Sequence, residues 1–226
     1  MNSLSTAKAS VKDQFIIFKS KHNWIMCWLY VGTFGSFIGY SSAFPTLIKT
    51  QFTGYDPLKY AFLGPLVGAL VRPIGGIISD KLGGARVTFW NFLIMLFAVI
   101  AVVYFVKEGN FWGFFSMFML LFITTGIGNG STFRMVPIIY LNQYEKEKGI
   151  SKEQVIALAT RDGATVIGFT SAIGAYGGFL IPKMFGYSIK NYGNFNFAFY
   201  SFIIFYISCI ILTFWFYSRK NAEAPC

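Results

Sequence analysis

The chain has 226 residues, of which 55% are apolar and 20% aromatic, while only 12% are charged. Soluble domains carry about 25% charged residues, so this composition excludes a disordered chain, a coiled coil and an ordinary soluble enzyme. The net charge of +10 comes mostly from Lys and Arg scattered between apolar runs, which indicates membrane topology and no nucleic-acid partner. We therefore predict an all-α polytopic membrane protein.

Six apolar segments are each long enough to cross a bilayer, which takes roughly 20 helical residues. In chain order they are Trp24–Ile48, Leu58–Ser79, Val87–Val106, Phe111–Tyr140, Val155–Lys183 and Phe195–Tyr217. The chain thus divides into an N-terminal segment 1–23, a six-helix transmembrane bundle 24–217 and a tail 218–226. The longest connection, Leu141–Gln154, is rich in charge and is predicted to be a solvated, partly helical loop.

Basic residues are distributed unequally between the two sides of the predicted bundle. Six spans put both termini on one side, which also receives the residues Lys8, Lys12, Lys19, Lys21, Lys81, Arg86, Lys146, Lys148, Lys152, Arg161, Arg219 and Lys220. The opposite side receives only Lys49, Lys59, Lys107, Lys183 and Lys190. Because basic loops stay in the cytoplasm, we predict cytoplasmic termini in the inner (plasma) membrane, with the lipid bilayer as a partner.

Four of the predicted helices carry two glycines four residues apart. The pairs are Gly35 with Gly39, Gly64 with Gly68, Gly126 with Gly130, and Gly174 with Gly178. Such pairs share a helix face and let a neighbouring backbone approach closely. Tight packing is the simplest interpretation of each pair. The glycine-rich second and fifth helices also resemble each other, as two inverted three-helix repeats predict.

Arg72 is the clearest charged residue inside a predicted span, where a charge is costly and usually functional. No acidic residue is expected at the same depth, so either a partner's carboxylate or a bound anion would balance it. The alternative is that Arg72 snorkels towards the interface or caps carbonyls that the adjacent Pro73 leaves free. A guanidinium suits a planar oxyanion because it donates two parallel hydrogen bonds and keeps its charge.

Other polar and aromatic residues give weaker signals. Tyr30 and Phe34 share a helix face, although ring packing alone accounts for that spacing in such an aromatic chain. Asn129 can form hydrogen bonds between helices, and Arg134 near the cytoplasmic end suits a structural role or a gating role equally well. We find no nucleophile with a base, no metal-ligand cluster and no phosphate loop. We therefore predict no enzyme activity, no metal and no cofactor.

Two sequence motifs resemble those of a known family. The loop Gly76–Arg86, with Asp80, Lys81 and Arg86, is similar to the loop motif of the major facilitator superfamily. The segment Gly168–Pro182 resembles the nitrate signature of the nitrate/nitrite porter family within it. The resemblance covers nearly the whole chain and corresponds to the C-terminal six-helix half of a twelve-helix transporter.

The resemblance implies a substrate site as well as a fold. The implied substrate-binding residues are Arg72, Tyr30, Phe34, Gly174, Ser171 and Ala175. A gating or structural role is expected for Asp80, Lys81, Arg86, Asn129 and Arg134. In the family the anion sits between two arginines, one from each half, so the expected partner is an N-terminal six-helix half on a separate chain or a missing segment.

The function that follows from the resemblance is transport of nitrate or nitrite by alternating access. The absence of carboxylates in mid-membrane favours exchange of nitrate for nitrite over classical proton coupling, and nitrate uptake is the other mode that stays open. Two alternatives stay open: a non-transporting remnant or auxiliary membrane subunit, and a facilitator-type porter for another small anion.

Overall fold

The computed structural model describes residues 15–146 and 151–226, which form helices and turns without a strand among them. Within these ranges there are six long helices, α1 to α6, and a short 3-10 helix at Phe15–Lys19 precedes them. α1 comprises Lys21–Tyr30, a π-helical turn at Val31–Gly35 and Ser36–Gln51; α2 is Leu63–Leu82, after a short helix at Pro57–Tyr60; α3 is Gly84–Lys107; α4 is Phe111–Glu145; α5 comprises Lys152–Ala175 and Gly177–Tyr192; α6 comprises Asn196–Thr213 and a π-helical turn at Phe214–Ser218.

Five of the six helices, α2 to α6, are long and apolar enough to cross a membrane. α1 is not among them, because small and hydroxyl-bearing residues such as Gly32, Thr33, Gly35 and Ser36 dilute its apolar content. All four are buried, and α1 packs against α4, α5 and α6. Its lower hydropathy therefore reflects contact with other helices in place of lipid. The predicted all-α membrane half-bundle is confirmed.

The predicted loop Leu141–Gln154 is shorter in the structure. α4 continues to Glu145, so the first five residues of that segment are helical. α5 already begins at Lys152, where Ser151 caps the helix. Both helices extend past their apolar runs because backbone hydrogen bonds continue after the chain has left the hydrocarbon region. Residues 147–150 lie outside the described residues, as do Lys8 and Lys12 of the charge argument.

The fifth span departs from its prediction more strongly. It was predicted as one helix ending at Lys183, whereas α5 is interrupted at Tyr176 and then continues to Tyr192. The interruption falls directly before the glycine pair Gly177–Gly178. Glycine has a low helix propensity, so this is where the helix ladder yields most easily.

The glycines of α2 and α4 bring the two helix backbones into direct contact. A Cβ atom on Gly126 would lie 2.3 Å from the carbonyl oxygen of Gly68, and one on Gly75 would lie 2.4 Å from that of Ile127. Neither distance leaves room for a side chain. The packing expected from the glycine spacing is confirmed for this pair of helices.

α1 and α5 form the matching tight pair. A Cβ atom on Gly177 would lie 2.3 Å from the Cα of Gly35, and one on Gly39 would lie 2.5 Å from the Cβ of Ile181. If α1–α3 and α4–α6 are two repeats, α2 corresponds to α5 and α4 corresponds to α1. The α2–α4 pair therefore corresponds to the α5–α1 pair. This correspondence is the one expected of two inverted three-helix repeats.

The core around these helices is aromatic. The rings of Phe44 and Phe118 stack with centroids 4.7 Å apart and an interplanar angle of 17°. Beside them the buried Tyr206 hydroxyl lies 2.8 Å from Ser36 Oγ and 2.7 Å from the Tyr40 hydroxyl, within hydrogen-bonding distance of both. This cluster of three hydroxyls links α6 to α1 inside an apolar core, where unpaired hydroxyls would be costly.

Candidate functional site

Arg72 lies at the edge of the glycine face of α2 and is half-buried. Its Cζ atom is 5.4 Å from the centroid of the Phe34 ring and 5.9 Å from that of Phe37. Both rings belong to α1, and these cation–π contacts hold the guanidinium against that helix. In the parts of the chain that the structure describes, Arg72 forms no ion pair with an acidic side chain.

An open groove of about 690 Å³ runs between α2 and α4. Its walls include Arg72, Asn129 and Arg134, together with Pro73 and Gly76. The groove therefore carries two guanidinium groups and a side-chain amide along its length. Because charged groups exposed to a low-dielectric environment need a counter-charge, the groove is suited to an anion.

Tyr30 and Asn129 meet behind this groove. The Tyr30 hydroxyl donates a hydrogen bond to Oδ1 of Asn129 over 3.0 Å. Only 4% of Tyr30 and 2% of Asn129 is exposed, and the Nδ2 atom of Asn129 has no hydrogen-bond partner in the described chain. A buried donor without a partner is rare, and Asn129 also lines the groove.

The rings of Tyr30 and Phe34 form a tilted pair with centroids 5.2 Å apart. Gly174 of α5 packs on both rings, since a Cβ atom there would lie 2.9 Å from Tyr30 and 3.1 Å from Phe34. Ser171, one turn before Gly174, and the Arg72 guanidinium both lie near the Tyr30 hydroxyl. Because Gly174 has no side chain, α5 packs closely on α1 and brings Ser171 near the Tyr30 hydroxyl.

Helix irregularities occur at the level of this cluster. The π-helical turn Val31–Gly35 separates Tyr30 from the rest of α1 and contains Phe34. The break of α5 at Tyr176 follows Gly174 by two residues. Single π-helical turns are frequent at functional sites because they re-aim side chains within a helix.

A second charged contact closes the other end of the groove. Nη2 of Arg134 on α4 lies 2.9 Å from Oδ2 of Asp80 at the end of α2. About half of each side chain is exposed, 54% for Arg134 and 50% for Asp80. Lys81 and Arg86 are exposed, and neither forms an ion pair in the described part of the chain.

Nitrate/nitrite transporters match nearly the whole chain. The nitrate/nitrite transporter NarU of Escherichia coli (strain K12) is 44% identical over 98% of the chain and 49% of its own length. NarU of Salmonella typhimurium is 45% identical over 99% of the chain and 50% of its own length. For the probable nitrate/nitrite antiporter NarK2 of Thermus thermophilus the values are 38%, 97% and 47%. No family model matches the chain.

The chain belongs to the nitrate/nitrite porter family of the major facilitator superfamily. It spans about half the length of the porters that it matches. The resemblance expected from the two motifs is thereby confirmed.

The porter half-bundle brings most of the sequence-predicted site residues together. Arg72, Tyr30, Phe34, Gly174 and Ser171 converge on one point between α1, α2 and α5, as described above. Ala175 is exposed beside them, and no contact places it in the cluster. The cluster thus has a cation, a hydroxyl pair and two rings, a set able to hold a small planar anion.

Two further residues join the cluster that sequence reasoning did not place there. Asn129 was grouped with gating or structural residues, yet its side chain bonds to Tyr30 and lines the Arg72 groove. Phe37 was not singled out, although its ring faces Arg72. The spacing Tyr30, Phe34, Phe37 is a helical stripe that identifies Phe37 once Arg72 is known to contact it.

Proposed function

We propose that the chain forms the C-terminal half of a transporter that moves nitrate and nitrite across the inner membrane by alternating access. The observation that carries the proposal is the half-buried Arg72 guanidinium, which faces a groove without an acidic partner among the described residues. The names of the relatives, nitrate/nitrite transporters and an antiporter, support this choice of substrate.

In this proposal the anion is held by charge and by shape. Arg72 donates two parallel hydrogen bonds to a planar oxyanion, and the free Nδ2 of Asn129 supplies a further donor. The rings of Tyr30 and Phe34, with Gly174 packed on them, limit the size of the site, so that a larger anion would collide with the rings. A planar anion with three or two oxygens fits this combination of directed donors and flat walls.

A second six-helix bundle is the proposed partner. α2 exposes Leu66, Leu70, Ile74 and Ile77, which lipid is able to cover, but the adjacent groove with Arg72 is costly to expose to hydrocarbon. An N-terminal half that presents its own arginine would cover this face and complete the site. The chain's share of its relatives' length, about half, agrees with one missing bundle.

Exchange of nitrate for nitrite is the coupling that the acidic residues favour. Of the acidic side chains that the structure describes, Asp162 is buried. It accepts hydrogen bonds from the Tyr144 hydroxyl and from Nε of Arg161, so it is already satisfied and lies away from the Arg72 groove. We propose antiport on this ground. The distribution of basic residues separately supports the proposal that both termini lie in the cytoplasm.

Co-expression with an N-terminal half tests the proposal. The chain is produced alone and together with the N-terminal half of Escherichia coli NarU in cells that lack nitrate transport, and nitrate uptake is measured. We expect uptake from the pair and none from the chain alone. Arg72→Gln in the pair should abolish uptake. Lys49→Gln is the matched control and should not, because Lys49 is an exposed cation on α1 outside the groove.

Three results would contradict the proposal in whole or in part. Uptake by a demonstrated monomer of the chain would show that no second half is needed. A pair that associates at normal yield without uptake would favour the auxiliary-subunit alternative. Uptake of another small anion in preference to nitrate would retain the transporter and change its substrate.

A further inference from the structure

A second pocket of about 480 Å³ lies at the end of the bundle where α1 begins and α4 ends. Lys19 and Lys21 form one wall, Asn142 and Lys146 of α4 form another, and Glu223 from the segment after α6 closes the third side. It shares no lining residue with the Arg72 groove.

The pocket is positively charged even though it contains a carboxylate. Lys21 Nζ lies 2.5 Å from Oε1 of Glu223, and Lys146 Nζ donates to the Glu223 carbonyl oxygen over 2.8 Å. The hydrogen bond from Lys21 lowers the pKa of Glu223, which is therefore ionised. Burial lowers the pKa of His22, which is therefore neutral. Three lysines against one glutamate leave a surplus of two positive charges.

One cation in the pocket has no counter-charge within the described residues. Lys19 forms no ion pair there, and it is exposed at the pocket wall. Ser20 lines the same pocket, but its buried hydroxyl lies beside the buried Tyr140 hydroxyl. The unpaired ammonium of Lys19, in a pocket with surplus positive charge, therefore favours a ligand with negatively charged oxygen acceptors.

Aromatic residues place this pocket at the depth of the lipid headgroups. Trp24 is 52% exposed one turn along α1, and Trp215 is 56% exposed on α6. The Arg219 guanidinium lies 4.5 Å from the centroid of the Trp215 ring. Exposed tryptophans with basic residues mark the interface between hydrocarbon and water.

We propose that this pocket binds a phosphate group, supplied by the headgroup of an anionic phospholipid. Lysine ammonium groups donate to phosphate oxygens, and basic pockets between helices at this depth suit anionic headgroups. The cavity exceeds the size of a phosphate and leaves room for the glycerol that follows it. The site depends only on the membrane location of the bundle, and its failure leaves the nitrate proposal untouched.

Native mass spectrometry of the purified full chain in detergent tests the site. Phosphatidylglycerol and the zwitterionic phosphatidylcholine are titrated separately, and inorganic phosphate is added as a competitor. We expect retention of phosphatidylglycerol over phosphatidylcholine. Lys19→Gln should weaken phosphatidylglycerol binding about fivefold, which corresponds to about 1 kcal/mol per basic residue at a membrane surface.

Lys49→Gln is the control, because it removes an equal charge outside the pocket and should leave binding unchanged. Lys19 has no ion-pair partner in the described chain, so its replacement leaves the fold intact. Displacement of the lipid by millimolar phosphate would support the pocket and identify free phosphate as its ligand. Equal retention of the two lipids, or equal effects of Lys19→Gln and Lys49→Gln, would overturn the proposal.

Discussion

The Tyr30 hydroxyl and Oδ1 of Asn129 are joined by a 3.0 Å hydrogen bond between α1 and α4, beside Arg72. Both side chains are almost fully buried, so the bond fixes the two helices at the depth of the candidate site. It also fixes the amide of Asn129 with its oxygen towards Tyr30. The Nδ2 group is left without a hydrogen-bond partner in the described chain.

Loss of this hydrogen bond should be measurable as a coupling energy. We expect a double-mutant cycle of Tyr30→Phe and Asn129→Leu to give about 0.5–1.5 kcal/mol, the range for hydrogen bonds in folded and membrane proteins. The free energy of unfolding in detergent is the measurement. Tyr104→Phe is the control, because Tyr104 is 58% exposed and should not change stability. A coupling energy near zero would show that the two side chains act independently.

Arg72→Lys should separate geometry from charge in the assembled transporter. The charge is kept, but an ammonium does not reproduce the planar fork. A charged hydrogen bond contributes roughly 1.5–3 kcal/mol, and about 1.4 kcal/mol is tenfold in affinity. We therefore expect nitrate binding to weaken about tenfold to a hundredfold, and Arg72→Ala to abolish it.

Arg134→Lys is the comparison for Arg72→Lys, because Arg134 lines the same groove but is already paired with Asp80. We expect it to bind nitrate much as the parent does. Nitrate affinity is measured by isothermal titration, with protein yield as the check on folding. If Arg72→Lys binds nitrate like the parent while Arg134→Lys does not, the nitrate site is formed by Arg134 and not by Arg72.

The Asp80–Arg134 pair should influence transport more than stability. Both side chains are about half exposed, and exposed ion pairs contribute about 0–1 kcal/mol. We expect Asp80→Asn to change the free energy of unfolding by less than about 1 kcal/mol while it lowers the uptake rate, since the pair latches α2 to α4 in this conformation. Exchanging the two residues, Asp80→Arg with Arg134→Asp, should recover uptake. A folded exchange variant as slow as Asp80→Asn would refute the latch.

The orientation of the bundle is testable by cysteine labelling. Asn110→Cys between α3 and α4 should react with an impermeant reagent added outside cells, whereas Gln143→Cys near the end of α4 should react only after permeabilisation. Basic residues predict this arrangement. The native Cys27 and Cys209 are buried, and Cys226 is replaced by Ser to lower the background. The reverse labelling pattern would overturn the orientation.

Apolar runs and glycine spacing were enough to predict much of the fold. The glycines of α2 and α4 predicted a close contact, and a Cβ on Gly126 indeed has no space beside Gly68. Hydropathy reports only what the lipid contacts, however. It therefore set the predicted spans short of the polar ends of α4 and α5, although the loop between them was expected to be partly helical, and it gave no sign that α5 is interrupted at Tyr176.

The candidate site was accessible from the sequence only in part. Arg72 stands out because a charge in a span is costly, and the family resemblance added Tyr30, Phe34 and Gly174. Asn129 was expected to bond between helices in a gating or structural role, but an amide in a glycine-rich helix has many available partners, so its bond to Tyr30 could not be predicted. Its pairing with Tyr30 depends on how α1 and α4 cross, which is a property of tertiary packing.

The contact between Gly35 and Gly177 allows the sharpest test of the packing next to the site. A Cβ atom on Gly177 would lie 2.3 Å from the Cα of Gly35, and backbone cannot rotate away as a side chain does. We expect Gly177→Ala to destabilise the bundle by about 1–3 kcal/mol, the usual cost of overpacking. Because the contact adjoins the π-helical turn of α1, the variant should also weaken nitrate binding in the assembled transporter.

Gly168→Ala is the matched control on the same helix. Nothing lies within 4 Å of a Cβ atom at Gly168, and alanine is the better helix former by about 1 kcal/mol. Thermal unfolding of the chain in detergent should therefore show a lower midpoint for Gly177→Ala and an unchanged or higher one for Gly168→Ala. Equal unfolding midpoints for the two variants would mean that α1 and α5 do not contact each other at Gly35 and Gly177.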